Sequence, residues 1–193
     1  MAEIVFNEAR HEYLVGGRVV PSVTQVLGIL QDFGGVPADV LARAAEFGSH
    51  VHQAVDLYNK GVLDEASLDP ALAPYLADWH SFLRDVAVEV LGSEIRVYHP
   101  GRHYAGTLDA LVRIRGKVVL VDVKTGDVPR TVGPQLAAYQ EAYHASDENP
   151  HCIRRRLCVQ LTGAGYRLHE YKDHSDYSLF LSALNCWRFK HAR

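Results

Sequence analysis

The run Val118-Val119-Leu120-Val121-Asp122-Val123 sets one carboxylate among five aliphatic side chains. A strand that is apolar on both faces has to be covered on both faces. The segment therefore predicts the centre of a sheet packed between helices. Its neighbours agree. Residues 94–99, 104–115 and 117–124 read as three successive strands, turned by Pro100-Gly101 and by Gly116. Before them, Val40, Leu41, Ala44, Ala45, Val51, Val55 and Tyr58 recur at helical spacing, which predicts a long helix over 38–60 with Gly61 just past its end. A second helix is predicted over 71–91, ended by Gly92, and a third over 134–145, with Pro134 in its first turn. Strands over 157–162 and 166–171 surround Gly163-Ala164-Gly165, and an amphipathic helix over 175–191 follows. At the front, residues 4–20 read as a hairpin turning at Gly16-Gly17. A short helix then opens at Pro21-Ser22-Val23-Thr24, with Ser22 or Thr24 as its N-cap. The expected class is α/β: helix, three strands, helix, strand, with additions at both ends.

The chain of 193 residues suffices for one domain, with its core over about 38–171. With 48% hydrophobic and 22% charged residues it is neither disordered nor coiled-coil. No apolar run approaches the roughly 18–20 residues of a membrane span. The opening Met1-Ala2-Glu3-Ile4-Val5-Phe6-Asn7-Glu8 lacks the basic and apolar regions of a signal peptide. Cys152, Cys158 and Cys186 include no CxxC pair, which argues against a disulfide framework and for a reducing cytoplasm. The net charge of −3 hides an asymmetry. Residues 1–97 carry 6 Lys and Arg against 14 Asp and Glu, whereas residues 98–193 carry 14 against 9. A polyanion partner follows only if the basic half gathers its charge on one face; otherwise this is a mixed surface.

Three groups of residues stand out chemically. Gly106-Thr107-Leu108-Asp109 places a carboxylate in an otherwise apolar strand, and Asp122-Val123-Lys124 ends the next one. Asp122 and Lys124, two apart, share a face, and the hairpin at Gly116 brings Asp109 opposite them. Two carboxylates and a lysine at one place suit a divalent cation such as Mg²⁺ or Mn²⁺. The same spacing also suits a structural Asp–Lys pair. Gly48-Ser49-His50-Val51-His52 lies on the long helix, with Gly48 one turn before His52 on the same face. His50 and His52 diverge, and alone His52 reads first as an ordinary helix histidine. Gln135 and Tyr139, four apart, face one way on the helix after the Asp122 strand. They suit phosphate and base contacts, or a half-buried helix pair.

Taken together, Gly48-x3-His52, Glu94, Gly106-Thr107-Leu108-Asp109, Asp122-Val123-Lys124-Thr125-Gly126 and Gln135-x3-Tyr139 resemble the PD-(D/E)XK nuclease superfamily. More narrowly they resemble its RecB-like exonuclease branch, found in phage exonucleases, CRISPR-associated nucleases and a mitochondrial single-strand exonuclease. The resemblance covers about residues 44–143. The opening His11-Glu12-Tyr13 through Thr24 is similar to phage-type members. Two positions depart from the pattern in permitted ways: Leu108 stands where the family name has Pro, and Asp122 where it has Glu. The resemblance implies a restriction-endonuclease-like αβββαβ core with a mixed central sheet. It implies metal ligation by His52, Asp109, Asp122 and the Val123 carbonyl, and Lys124 as the catalytic lysine. Glu94 ranks below these, at the start of its strand, orienting a water or Lys124. Gln135, Tyr139, Arg130, Thr125, Ser22 and Thr24 are the candidate DNA contacts. Arg96, Arg102, Arg113, Arg115 and Arg154-Arg155-Arg156 are candidates for a phosphate track, with Arg113 and Arg115 on one strand face. One or two Mg²⁺ or Mn²⁺ ions are implied. With three cysteines, all after residue 150, no iron–sulfur cluster is expected. The implied function is a metal-dependent exonuclease acting on DNA ends in phage or bacterial recombination or repair. The implied place is the cytoplasm of a bacterial or phage-infected cell. The alternatives are a silent nucleic-acid-binding module, or an endonuclease, on the same fold. No membrane partner is expected, and a homo-oligomer or a recombination partner protein is left open.

Overall fold

The computed structural model describes residues 3–7, 10, 12–32, 34–146 and 148–192. His11, part of the opening motif, lies outside the described residues. Strands β1 (Ile4–Asn7), β2 (Glu12–Val15) and β3 (Arg18–Val20) form a small antiparallel sheet. The expected hairpin is thus a three-strand meander. Gly16 and Gly17, both with positive φ, turn β2 into β3, and β1 folds back on β2. Helix α1 (Val23–Gly28) is opened by a capping box, in which Ser22 Oγ accepts from the Gln25 N–H and the Gln25 side chain accepts from the Ser22 N–H.

Helices α2 (Ala38–Asn59) and α3 (Ala73–Asp85) come next. They are followed by β4 (Glu89–His99), β5 (Tyr104–Ile114) and β6 (Lys117–Lys124). Helix α4 (Val132–His144), β7 (Ile153–Leu161), β8 (Tyr166–Tyr171) and α5 (Asp176–His191) complete the chain. The five strands β4 to β8 lie in sequence order. All pairs are antiparallel except β6–β7, whose parallel crossover contains α4. The result is an α/β architecture with a mixed five-stranded sheet flanked by helices.

The apolar run is central, as its composition requires. Val119, Val121 and Val123 of β6 pack with Val51 and Val55 of α2 and Trp79 and Phe82 of α3. Leu120 belongs to the other layer, with Leu136 of α4, Phe180 of α5 and Val26 of α1. The small sheet docks on β5 through the Ala105 N–H, which donates to Pro21 O at 3.0 Å, and through a hydrogen bond of 2.7 Å between Tyr13 OH and Thr107 Oγ1.

Some expected boundaries move. The helix predicted over 71–91 ends at Asp85, and Ala87 turns the chain with φ 50°. Residues 89–92 instead pair with β5, Glu89 opposite Arg113 and Val90 opposite Val112. Leu83, Val86 and Val90 satisfy a helical spacing while Val86, Val88 and Val90 satisfy a strand period, and the edge of β5 decides between them. Strand β7 starts at Ile153, so the run Arg154-Arg155-Arg156 is strand. Arg115, with φ 49°, belongs to the β5–β6 turn and does not share a strand face with Arg113. Among the described residues no helix is long and apolar enough to cross a membrane.

Candidate metal centre

Strands β5 and β6 pair from Ile114/Lys117 as far as Ala110/Val121. Beyond that point the ladder stops, and Asp109 and Asp122 stand at the fork. The Val123 N–H donates to Asp109 Oδ2 at 2.7 Å, so a side chain continues the ladder where the backbone has left it. Helix α2 crosses this fork and sets His52 Nδ1 3.5 Å from Asp109 Oδ2.

Glu94 completes the cluster from β4. It lies between the pairs Ser93/Ala110 and Ile95/Leu108, across from Asp109. The expectation that it begins its strand is corrected: Glu94 is in mid-strand, with φ 50°. Of the four non-glycine residues with positive φ among the described residues, it alone lies inside a strand. Such a backbone costs of the order of 1–3 kcal/mol. The ligand atoms of His52, Glu94 and Asp109 all lie within 4.8 Å of one another.

Asp122 is held one step back. It is only 1% exposed, it accepts from Gln135 Nε2 at 2.7 Å through Oδ1, and Lys124 Nζ lies 2.7 Å from Oδ2. Lys124 and Gln135 line a cleft of about 1000 Å³ that also contains His52, Glu94 and Asp109; Asp122 does not. The structure thus gathers His52, Asp109 and Glu94 directly, with Asp122 behind Lys124.

The electrostatics follow from burial and these neighbours. Burial acts to lower the His52 imidazole, but the Asp109 carboxylate overrides it and lifts His52 to about 9. Burial acts to raise Asp109; the facing His52, then Lys124 and the Val123 N–H, outweigh it and hold Asp109 below its ordinary value. Burial raises Asp122 to about 6 even against Lys124, and Asp109 adds to the rise. Lys124, which burial alone would lower, is lifted to about 12 by Asp122 and then Asp109. Glu94 remains more than a third exposed, yet loss of water within the cleft, and then the Asp109 charge, push it up to about 7. The site holds protons where a divalent cation would hold positive charge. One imidazole nitrogen with hard carboxylate oxygens is a donor set that fits Mg²⁺ or Mn²⁺.

The candidate DNA contacts divide. Thr24 and Thr125 line the cleft. Ser22 is 2% exposed and its hydroxyl caps α1, so it is not offered to a ligand. Arg130 is exposed but outside the cleft. Tyr139 is 5% exposed and lies against Gly106, where a Cβ would come within 2.4 Å of its Cε1. It is a wall of the cleft, without a free face for stacking. Arg96 lines the cleft. Arg113 pairs with Glu89 and Arg155 with Glu170. Arg156 is 8% exposed and bound to Gly133 O, Asp173 O and Asp176. Of these candidate track residues, Arg113, Arg155 and Arg156 are therefore held in ion pairs, and Arg96 faces the cleft.

Sequence reasoning misses three contributors. Phe6 and Tyr13 of the small sheet line the cleft with ring centroids 4.7 Å apart. Asp56 lies one turn past His52 on α2, and its i+4 spacing is the signal that finds it. Ser93 Oγ donates to Asp56 Oδ1 at 2.5 Å, and Lys60 Nζ to Asp56 Oδ2 at 2.6 Å.

No protein-family model and no curated protein sequence matches the chain. Among solved structures it is similar to one described as the crystal structure of SSO0001, at 14% identity over 75% of each chain and a TM-score of 0.38. A likeness of that size carries no argument about function.

Proposed function

We propose that this chain is a metal-dependent deoxyribonuclease of the PD-(D/E)XK type, on a restriction-endonuclease-like core, that hydrolyses phosphodiester bonds from DNA ends. One observation carries the reading: His52, Glu94 and Asp109 converge within 4.8 Å, and Lys124 lines the same cleft. A lysine beside a hard-ligand cluster is what phosphodiester hydrolysis needs, because negative charge builds on the phosphorane beyond what the ground state carries. When bound, Mg²⁺ or Mn²⁺ supplies a water of lowered pKa and positive charge against the attacked phosphate. His52, Asp109 and Glu94 would hold that ion, and the family resemblance would add Asp122 and the Val123 carbonyl. His52 has to give up its proton to serve, so metal and protons compete for the site. Gln135 and Asp122 together fix Lys124 toward the cleft. Lys124 stays charged at any working pH and meets the phosphoryl oxygens as water adds to phosphorus and the P–O bond to the leaving nucleotide breaks.

The cleft is lined by α2, by Gln135 and Tyr139 of α4, and by Phe6 and Tyr13, around a floor of β4 and β5. This supports entry of a single flexible strand. The test uses end-labelled linear DNA and covalently closed circles, single- and double-stranded, with Mg²⁺, Mn²⁺ or EDTA. Linear DNA is shortened only with metal, and circles resist. Equal cleavage in EDTA overturns the metal role. Equal degradation of circles replaces the exonuclease with an endonuclease. Binding without cleavage makes the chain a silent module.

A further inference from the structure

Glu94 reaches the cluster only because β4 departs from a regular strand at that residue. An extended strand offers no reason for a glutamate in its middle to adopt φ 50°, so something has to hold the backbone there. The residue before it supplies the means. Ser93 Oγ donates to Asp56 Oδ1 at 2.5 Å, and Asp56 belongs to α2, one turn after His52. The Asp56 side chain is 13% exposed, so this hydrogen bond is largely shielded from water. Its second oxygen accepts from Lys60 Nζ at 2.6 Å, one further turn along. Helix α2 thus presents a ligand, a clamp and a counter-ion at successive turns. The clamp grips β4 at the position adjoining its strained residue.

We propose that Asp56 is a positioning residue: by holding Ser93 Oγ it fixes the left-handed turn of β4 that aims Glu94 at His52 and Asp109, and so completes the cation site. The proposal rests on the reading of this cluster as a metal centre. It adds a division of labour within α2. His52 meets the ion, and Asp56, without touching it, sets the distance between α2 and β4 and the direction of Glu94. Lys60 neutralises Asp56, so the clamp adds little charge of its own to the site.

The experiment measures Mn²⁺ affinity of the full chain by titration calorimetry at pH 8, with circular dichroism to establish folding. Asp56→Ala and Ser93→Ala are each expected to weaken Mn²⁺ binding about tenfold. Asp56→Asn keeps an oxygen for Ser93 and loses the charge, and is expected to bind nearly as the wild type does. Glu94→Gln weakens binding by itself, and adding Asp56→Ala to it has no further effect, because the influence of Asp56 passes through Glu94. Should Asp56→Ala fail to fold, Ser93→Ala makes the same test from the other side of the bond. Wild-type affinity in Ser93→Ala and Asp56→Ala overturns the clamp. So does an Asp56→Asn loss as large as that of Asp56→Ala, which would assign the effect to charge, and so does full additivity with Glu94→Gln. A wild-type protein that takes up no Mn²⁺ at millimolar concentration overturns the metal reading itself, and is told apart because no variant is needed to see it.

Discussion

Lys124 shows how one side chain serves two ends. Its ammonium lies 2.7 Å from Asp122 Oδ2, yet it lines the cleft. Lys124→Ala is expected to lower turnover by roughly 10²–10³-fold while leaving Mn²⁺ affinity near the wild-type value. Asp122, deprived of its partner, takes up a proton in preference to standing as a bare buried charge. Single-turnover kinetics beside calorimetry checks this, and near-normal turnover would remove Lys124 from the chemistry. Gly106 is required for a different reason. A Cβ there would come 2.4 Å from Tyr139 Cε1 and 3.1 Å from Cδ1, and the ring is buried. Gly106→Ala should destabilise the fold by about 1–3 kcal/mol, measured by thermal or urea unfolding. A variant as stable as the wild type would mean that the ring moves freely.

Among the elements, α3 and the β7–β8 turn are joined by one carboxylate. Asp78 Oδ2 accepts from the Thr162 and Gly163 N–H groups at 2.8 Å each, and the side chain sits in a residue only 5% exposed. Thr162 also donates to Gly165 O, so Gly163 is the donor that has no substitute on the turn itself. Asp78→Ala should cost roughly 1–3 kcal/mol of stability through the loss of two hydrogen bonds to a buried, charged acceptor, and Asp78→Asn less. Equal losses in the two variants would show that the charge matters and the oxygen does not. Elements differ in how far their own residues announce them. β6 is readable because both of its faces are buried, and α2 because apolar residues recur along it at helical spacing, although only Val51, Ala54 and Val55 are buried. The start of β4 is not, since Val86 and Val90 continue the helical spacing of Leu83 while also alternating with Val88 as a strand would, and only the edge of β5 chooses. The start of β7 is hidden by three arginines, one of which is buried among partners that spacing does not show: Gly133 O, Asp173 O and Asp176. In the site, spacing brings Asp109, Asp122 and Lys124 to one place, while His52 is singled out only by the family resemblance. Glu94 as a near neighbour of His52 is invisible to spacing, because its aim depends on a left-handed backbone. The burial of Tyr139 is likewise a property of Gly106, not of the motif that contains the tyrosine.

At the scale of the whole molecule, the site couples folding to pH. His52 is raised from 6.5 to about 9, Glu94 from 4.5 to about 7 and Asp122 from 3.8 to about 6. Each binds its proton more tightly folded than unfolded. Each therefore contributes stability below its ordinary value that is lost as pH rises through the folded one. The window runs from about 4 to 6 for Asp122, 4.5 to 7 for Glu94 and 6.5 to 9 for His52. Asp109 acts in the opposite sense, losing its contribution only in acid. On the metal reading a divalent cation would take the place of the departing protons, so Mg²⁺ should raise the melting temperature more at pH 8.5 than at pH 6.0. Scanning calorimetry at the two pH values checks this, and an equal shift at both would uncouple metal from proton. Arg156 ties the molecule together in another way. It lies on β7, donates to Gly133 O of α4, and meets Asp176 at the head of α5, 20 positions further along the chain. The same helix brings Phe180, Ala183 and Leu184 to one face of the sheet. During synthesis, the ribosome therefore delivers the guanidinium before its counter-ion, and the layer it belongs to stays open until α5 has left the exit tunnel. The nascent chain can assemble the α2–α3 side first, but it must wait for its late residues before the other side can seal.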